Sequence, residues 1–237
     1  MNLLSGLIAV IFAIKGDITF AAFFALLGIF FDFFDGFFAR LLNVSGELGK
    51  QLDSLADMVT SGVAPAIIMY KLLESTQDST LFITVGSWIP VDDKTNYLLP
   101  FFGLLLALAA AYRLANFNID TRQTSSFIGL PTPAMTLVIV SLPLIQTYSN
   151  QLFALELIQN KYVLISLTVL LSYLMNANIP LFSLKFKNFG LKDNLIVYIF
   201  LLVCILLLVF LQFVAIPLII LIYVILSVIQ NVSSKKS

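Results

Sequence analysis

The sequence predicts an all-α fold, a polytopic bundle of about eight helices in a membrane, and three observations carry that expectation. Of its 237 residues, 60% are hydrophobic and only 11% charged, too apolar a mixture for a soluble domain of this size to cover with polar surface. Windows of about 17 to 25 apolar residues, the length that crosses ~30 Å of hydrocarbon, recur along the chain. Runs such as Leu201 to Phe210 are apolar at every position, which is unlike the short alternating segments of a transmembrane β-barrel.

The first helix is expected over residues 2–15. Its apolar run from Met1 to Ile14 invites comparison with a secretory signal, but it has no basic leading region and runs into Lys15-Gly16-Asp17 instead of a small-residue cleavage site. It is therefore read as the first helix of the protein. Seven longer apolar windows follow, over residues 17–42, 51–73, 97–118, 133–150, 161–182, 194–211 and 213–231.

Several chemistries are excluded at once. The formal net charge is zero, so nothing points to nucleic acid as a partner. The single Cys204 lies in an apolar helix without a disulfide partner, and there is no histidine, which removes imidazole bases and His-rich zinc sites. Catalysis must use carboxylates, hydroxyls, amides, Lys or Arg.

Charge also orients the chain. With a cytoplasmic N-terminus, eight spans put Arg40, Lys50, Arg113, Arg122, Lys185, Lys187, Lys192, Lys235 and Lys236 inside, leaving Lys15, Lys71, Lys94 and Lys161 of the thirteen basic residues outside. The expectation is an integral protein of the cell's inner, cytoplasmic membrane with both termini cytoplasmic. The longest loop, about 74–96 with Trp88 and Pro90, then faces outward as a solvated connection. The basic segment 183–193 reads as an ordinary positive-inside loop, with a second reading in which Lys185 or Lys187 attracts the pyrophosphate of an anionic lipid.

Four carboxylates break the apolar pattern. Asp32 and Asp35, then Asp53 and Asp57 across a short turn, lie in or beside apolar spans, where each charge costs at least ~2.5 kcal/mol on insertion scales. They need a cation. Spacings of three and four put each pair on one helical face, and two adjacent antiparallel helices can aim both pairs into one cavity near their cytoplasmic ends. All-oxygen ligation suits Mg²⁺ or Mn²⁺, and four carboxylates neutralise two such ions, as in two-metal phosphoryl-transfer sites. Gly36 and Ala39 share the face of the first pair, and their small side chains let a nucleotide approach the backbone. Arg40, one turn on, reads either as a phosphate-pairing guanidinium or as an anchor at the cytoplasmic end of its helix.

These residues read D-x-x-D-G-x-x-A-R-x8-G-x-x-x-D-x-x-x-D, completed by Gly49, and that pattern resembles the signature of the CDP-alcohol phosphatidyltransferase family with every fixed position filled. The resemblance implies a six-helix catalytic core, usually dimeric, with two divalent ions on Asp32, Asp35, Asp53 and Asp57. It implies that CDP-diacylglycerol sits against Asp32, Gly36, Ala39, Arg40 and Gly49, and that Asp57, with Asp53 beside it, is the catalytic carboxylate that takes the acceptor's proton. The run Met1-Asn2-Leu-Leu-Ser-Gly6 matches the N-L-L-x-G of the family's first helix without the amphipathic stretch that normally precedes it, leaving two readings: a start upstream of Met1, or a protein without that interfacial helix.

Sequence beyond the motif bears on the acceptor alcohol. Residues 53–66 resemble the D-S-L-A-D-x-V-x-F-G-V-A-P stretch of the phosphatidylserine synthases in that family, with Ser61 where Phe is usual. Tyr112-Arg113-Leu-Ala-Asn116-Phe-Asn118-Ile-Asp120 and Phe127-Ile-Gly129-Leu-Pro131-Thr132-Pro133 resemble two further segments of that subfamily, with Asn116 in place of a basic residue. L-Serine as acceptor needs a cation for its carboxylate and oxygen acceptors for its ammonium; Arg113, Asn118 and Thr132 are the candidates. Arg113 reads equally as a membrane-end anchor, and Thr132, set between two prolines, as a helix cap.

The resemblance covers roughly residues 1–185 as the membrane core and leaves 186–237 as about two extra transmembrane helices and a short tail. The rivals are the same chemistry on glycerol 3-phosphate or inositol, and an intramembrane cation transporter. The transporter leaves Gly36, Ala39, Arg40 and Gly49 without a purpose, and no inverted repeat of the acidic segment follows.

Overall fold

The computed structural model describes residues 1–42, 46–76, 98–119, 128–181 and 194–234. The fold is all-α, as expected, with no strand among the described residues and a single antiparallel bridge between Ile128 and Pro180. The helices are α1 (Asn2–Ile14), α2 (Ile18–Leu41), α3 (Glu47–Met58), α4 (Ala64–Ser75), α5 (Leu105–Ile119), α6 (Thr132–Tyr148), α7 (Leu152–Gln159), α8 (Lys161–Asn176), α9 (Leu195–Leu211) and α10 (Ala215–Ser234). A π-helical turn, Val59–Val63, joins α3 to α4, and a 3₁₀ turn, Leu99–Leu104, leads into α5. The expected outward loop lies beyond Thr76, outside the described residues, as do Asp120, Phe127 and the basic segment around Lys185, Lys187 and Lys192.

Four helical stretches are long and apolar enough to cross a membrane: Ile18–Ala39, Glu47–Ser75, Leu99–Ile119 and Val197–Gln230. The last is folded back on itself, because the Phe200 ring lies 5.9 Å from that of Tyr223, placing α9 beside α10. The reversal sits at Gln212, whose φ is 48°. A fifth candidate is the pair α7 and α8, bent by 78°. The sequence predicts no helix at 152–159. It forms as a short separate element because Asn160 leaves the helical conformation and its side chain accepts from the Tyr162 amide at 2.9 Å, starting α8 in a new direction. At 13 residues, α1 is only about 20 Å long, less than the hydrocarbon thickness.

The core lies where α1, α2, α4 and α6 meet, and small residues set its spacing. Ala9 and Ala13 of α1 and Ala21, Ala22 and Ala25 of α2 are fully buried, allowing the α1–α2 hairpin to pack backbone against backbone. The closest approach is at Thr60 in the π turn. A Cβ on Gly6 would lie 2.9 Å from the Thr60 Cα and collide with its hydroxyl, and one on Gly28 would collide with the Thr60 methyl. Thr60 thus wedges between α1 and α2, completely buried, and its hydroxyl donates to the Asn2 carbonyl at 3.2 Å. Tyr70 and its neighbours on α4 pack as closely on Gly103, where a Cβ would meet the Tyr70 amide nitrogen at 2.6 Å.

At Gly28 the first obstacle to a side chain is the wedge itself. Gly28→Val is expected to cost about 1–3 kcal/mol of stability, and Thr60→Ala should recover part of the loss in the double variant. Thermal unfolding of the three variants in detergent checks this, and independent, additive losses would refute the wedge.

Candidate active site

The motif carboxylates sit around the open end of the α1–α2 hairpin. Asp32 is half-buried on α2 and faces Asp53 and Asp57 of α3, close enough for the carboxyl groups to interact directly. Asn2, at the first turn of α1 and 4% exposed, donates from its carboxamide nitrogen to Asp32 Oδ1 and to Asp57 Oδ1, both at 3.0 Å. The positive end of the α1 dipole lies beside the same two acids. Three helices thus converge on one charged point.

The π turn explains why Asp57 faces inward while α4 continues into the core. Pro65 has no amide hydrogen, so the Ser61 carbonyl four residues before it loses its ordinary helical donor. The helix widens instead: the Ala64 amide bonds back five residues to Val59. The released Ser61 carbonyl is taken by the Thr136 hydroxyl of α6 at 3.2 Å, and that hydroxyl also bonds to the Thr132 carbonyl at 2.9 Å. Thr136 thereby fixes the start of α6 against the turn that follows Asp57.

A cavity of about 170 Å³ opens beside Asp53 and Asp57. Its walls are Lys50 and Ser54 of α3, Arg113, Leu114, Phe117 and Asn118 of α5, and Pro131, Thr132 and Pro133 at the entry to α6. Arg113, Asn118 and Thr132, chosen from sequence as acceptor residues, therefore share one cavity with the two acids. Arg113 is buried, and its Nη1 donates to the Ile128 and Met175 carbonyls at 3.1 and 2.7 Å, so part of the guanidinium fastens the cavity wall to the end of α8. Gly129 (φ 72°) makes that approach possible, because a Cβ there would stand 2.5 Å from the Met175 carbonyl oxygen. Thr132, also buried, is the first residue of α6, and the cap position before it is Pro131.

Lys50 and Ser54 are the residues that sequence reasoning missed. Lys50 donates to the Asn118 carbonyl at 3.1 Å, and the Ser54 hydroxyl pairs with the Asn118 carboxamide at 2.9 and 3.2 Å. A signal was available. Lys50, Ser54 and Asp57 are spaced by four and three and share a helical face with Asp53.

The remaining motif residues lie along the second half of α2 and the start of α3. Asp35 is exposed, one turn beyond Asp32, with Gly36 and Ala39 half-buried and Arg40 next to last in the helix. Among the described residues, a Cβ on Gly36 or Gly49 would meet no atom within 4 Å beyond its own helix, so the absence of a side chain leaves open space there.

Among the described residues, no three Asp, Glu or Cys side chains close into a ready-made metal cage. The donor set nonetheless fits a hard divalent cation: its groups are oxygens, three of the carboxylates face one another, and Asn2 donates to two of them.

A family model for CDP-alcohol phosphatidyltransferases matches residues 1–174. The chain belongs to the CDP-alcohol phosphatidyltransferase family. The matched region of this phosphatidyltransferase runs from α1 almost to the end of α8 and contains all four motif acids and the whole cavity lining. Among named relatives, the CDP-diacylglycerol-serine O-phosphatidyltransferase of Bacillus subtilis is 35% identical over 171 residues, 70% of this chain and 82% of the relative. The protein of the same name from Helicobacter pylori strain 26695 is 31% identical over 83% of this chain and 74% of its own length. The archaetidylserine synthase of Methanothermobacter thermautotrophicus is 31% identical over 70% and 64%.

The Ser61 carbonyl offers a direct check on the π turn. Thr136→Val keeps the shape and removes the donor, leaving a buried carbonyl unpaired at an expected cost of about 1–3 kcal/mol. Thermal unfolding should register that loss, whereas an unchanged midpoint would mean that the turn holds without α6.

Proposed function

We propose that this chain transfers the phosphatidyl group of CDP-diacylglycerol to the hydroxyl of L-serine, giving phosphatidylserine and CMP. The observation that carries this reading is the cavity shared by Asp53 and Asp57 with Lys50, Arg113, Asn118 and Thr132. It combines acids able to take a proton with cations and amides suited to a zwitterionic amino acid. The names of the relatives in Bacillus subtilis and Helicobacter pylori support serine as the acceptor.

In this scheme the serine hydroxyl oxygen forms a bond to the phosphorus that carries the diacylglycerol. The bond from that phosphorus to the oxygen bridging it to CMP breaks, CMP leaves with the electron pair, and Asp57 receives the hydroxyl proton. Two divalent ions, Mg²⁺ or Mn²⁺, would be held by Asp32, Asp35, Asp53 and Asp57; when bound they supply charge stabilisation for the phosphoryl oxygens. Gly36, Ala39 and Gly49 leave room for the nucleotide beside the helix backbones, and Arg40 pairs with donor phosphate. The serine carboxylate is met by Lys50 and by the donors of Arg113 other than Nη1, with Asn118 and Thr132 as the neutral partners. The reading includes a homodimer in the inner membrane, both termini and the site cytoplasmic, a catalytic core over 1–185 and an additional helical segment over 186–237. The basic residues expected on the inner side support that orientation.

The acceptor is tested by CMP release from purified protein given CDP-diacylglycerol and one alcohol at a time. Release should depend on serine; dependence on glycerol 3-phosphate or inositol would reassign the acceptor. Excess chelator should abolish release, and Asn at position 32, 35, 53 or 57 should lower turnover by about two orders of magnitude or more.

The two cations separate by a different readout. Lys50→Met should raise the KM for serine about tenfold at unchanged stability, because its bond to the Asn118 carbonyl is exposed. Arg113→Lys should raise the same KM and also lower the unfolding midpoint, since a point charge replaces a fork that holds two carbonyls. An Arg113→Lys protein with a lower midpoint and an unaltered serine KM would confine Arg113 to the wall.

A further inference from the structure

We propose that Asn2 is a positioning residue of the carboxylate centre, holding Asp32 and Asp57 by one oxygen each in the orientation in which they would bind a divalent cation. The inference rests on the phosphatidyl-transfer reading above. It starts from an imbalance in how Asn2 is bonded. Its carboxamide nitrogen spends both hydrogens on carboxylates of two different helices, while its own Oδ1 is buried with no hydrogen-bond partner. Turning the amide over would set that carbonyl oxygen against two carboxylate oxygens. The observed orientation follows from the electrostatics of the acids, at the cost of an unpaired oxygen.

The scaffold fixes the side chain as well. The Asn2 carbonyl accepts from Thr60, and a Cβ on Gly28 would lie 3.3 Å from the Asn2 Oδ1, so the carboxamide sits in a slot between α2 and the π turn. Asp32 and Asp57 are 25 residues apart on separate helices and meet at a single donor group. With each Oδ1 accepting from Asn2, the orientation of both carboxylates is constrained while they face each other and Asp53. Carboxylates that bind metals are commonly oriented by such outer hydrogen bonds, and losing one typically weakens metal affinity 10–100-fold.

The test is a Mn²⁺ titration of the purified full chain in detergent without substrates, followed by the electron paramagnetic resonance signal of free Mn²⁺. Asn2→Leu, similar in size but without a donor, should bind Mn²⁺ about 10–100-fold more weakly than the parent. Asn2→Gln, which keeps the donor group, should recover much of that loss. Should Asn2→Leu fail to fold, Asn2→Ala removes the same hydrogen bonds without added bulk and is read the same way. Parental affinity in the variant without the donor overturns the proposal. Equal loss in Asn2→Leu and Asn2→Gln also overturns it, because packing alone would then matter. A parent chain that binds no Mn²⁺ would instead sink the metal-dependent reading of the site.

Discussion

The site depends on how closely three backbones approach one another. Two acids on different helices must come within reach of one carboxamide, and that requires α1, α2 and the turn after α3 to pack without intervening side chains. Gly6, Gly28 and the Thr60 wedge meet the requirement. In a bilayer there is little hydrophobic gain in pushing helices together, so close packing of small residues and a few hydrogen bonds must do it. The buried alanines of α1 and α2 extend the contact along the hairpin, and the bond from Thr60 to the Asn2 carbonyl locks its open end.

The second half of the site is anchored differently. The cavity wall at 128–131 is attached to the end of α8 by the Arg113 guanidinium and by backbone bonds from Gly129 to Ile179 and from Leu130 to Leu174. The acids belong to the tightly packed hairpin side, whereas the wall opposite them belongs to α5 and the entry to α6. The cavity is the seam between these two assemblies, and its lining mixes charged and amide groups with Leu114, Phe117 and two prolines. Beyond residue 174 the family match ends, yet α10 still packs on α6, so the last hairpin braces the element that carries Thr132 and Thr136.

Much of this was legible in the sequence because the informative features are local. Aspartates three and four residues apart must share a helical face, and apolar windows of spanning length must form helices in a membrane. The carboxylate motif could be chosen in that way, whereas the acceptor candidates Arg113, Asn118 and Thr132 came from a family resemblance and the charges that serine carries. What escaped has physical reasons. Helix α7 is only eight residues long, set off by one asparagine cap. The π turn arises from a proline in α4 combined with a threonine on α6, a partnership between positions 65 and 136 that no local pattern reveals. Asn2 stood out only as part of the N-L-L-x-G match, with no role, because its partners stand 30 and 55 residues away.

The π turn also bears on which changes of length the gene can tolerate. A turn that closes over five residues holds one more than an α-helical turn, and each residue contributes about 100° of rotation and 1.5 Å of rise. Deleting any one residue of Val59–Val63 would let the helix relax to ordinary winding. Everything before it would then swing by about 100° relative to α4, carrying Asp53 and Asp57 off the cavity and Lys50 with them. The half of α3 that carries Asp53 and Asp57 is therefore tied to the rest of the bundle by residue count as strictly as by residue type.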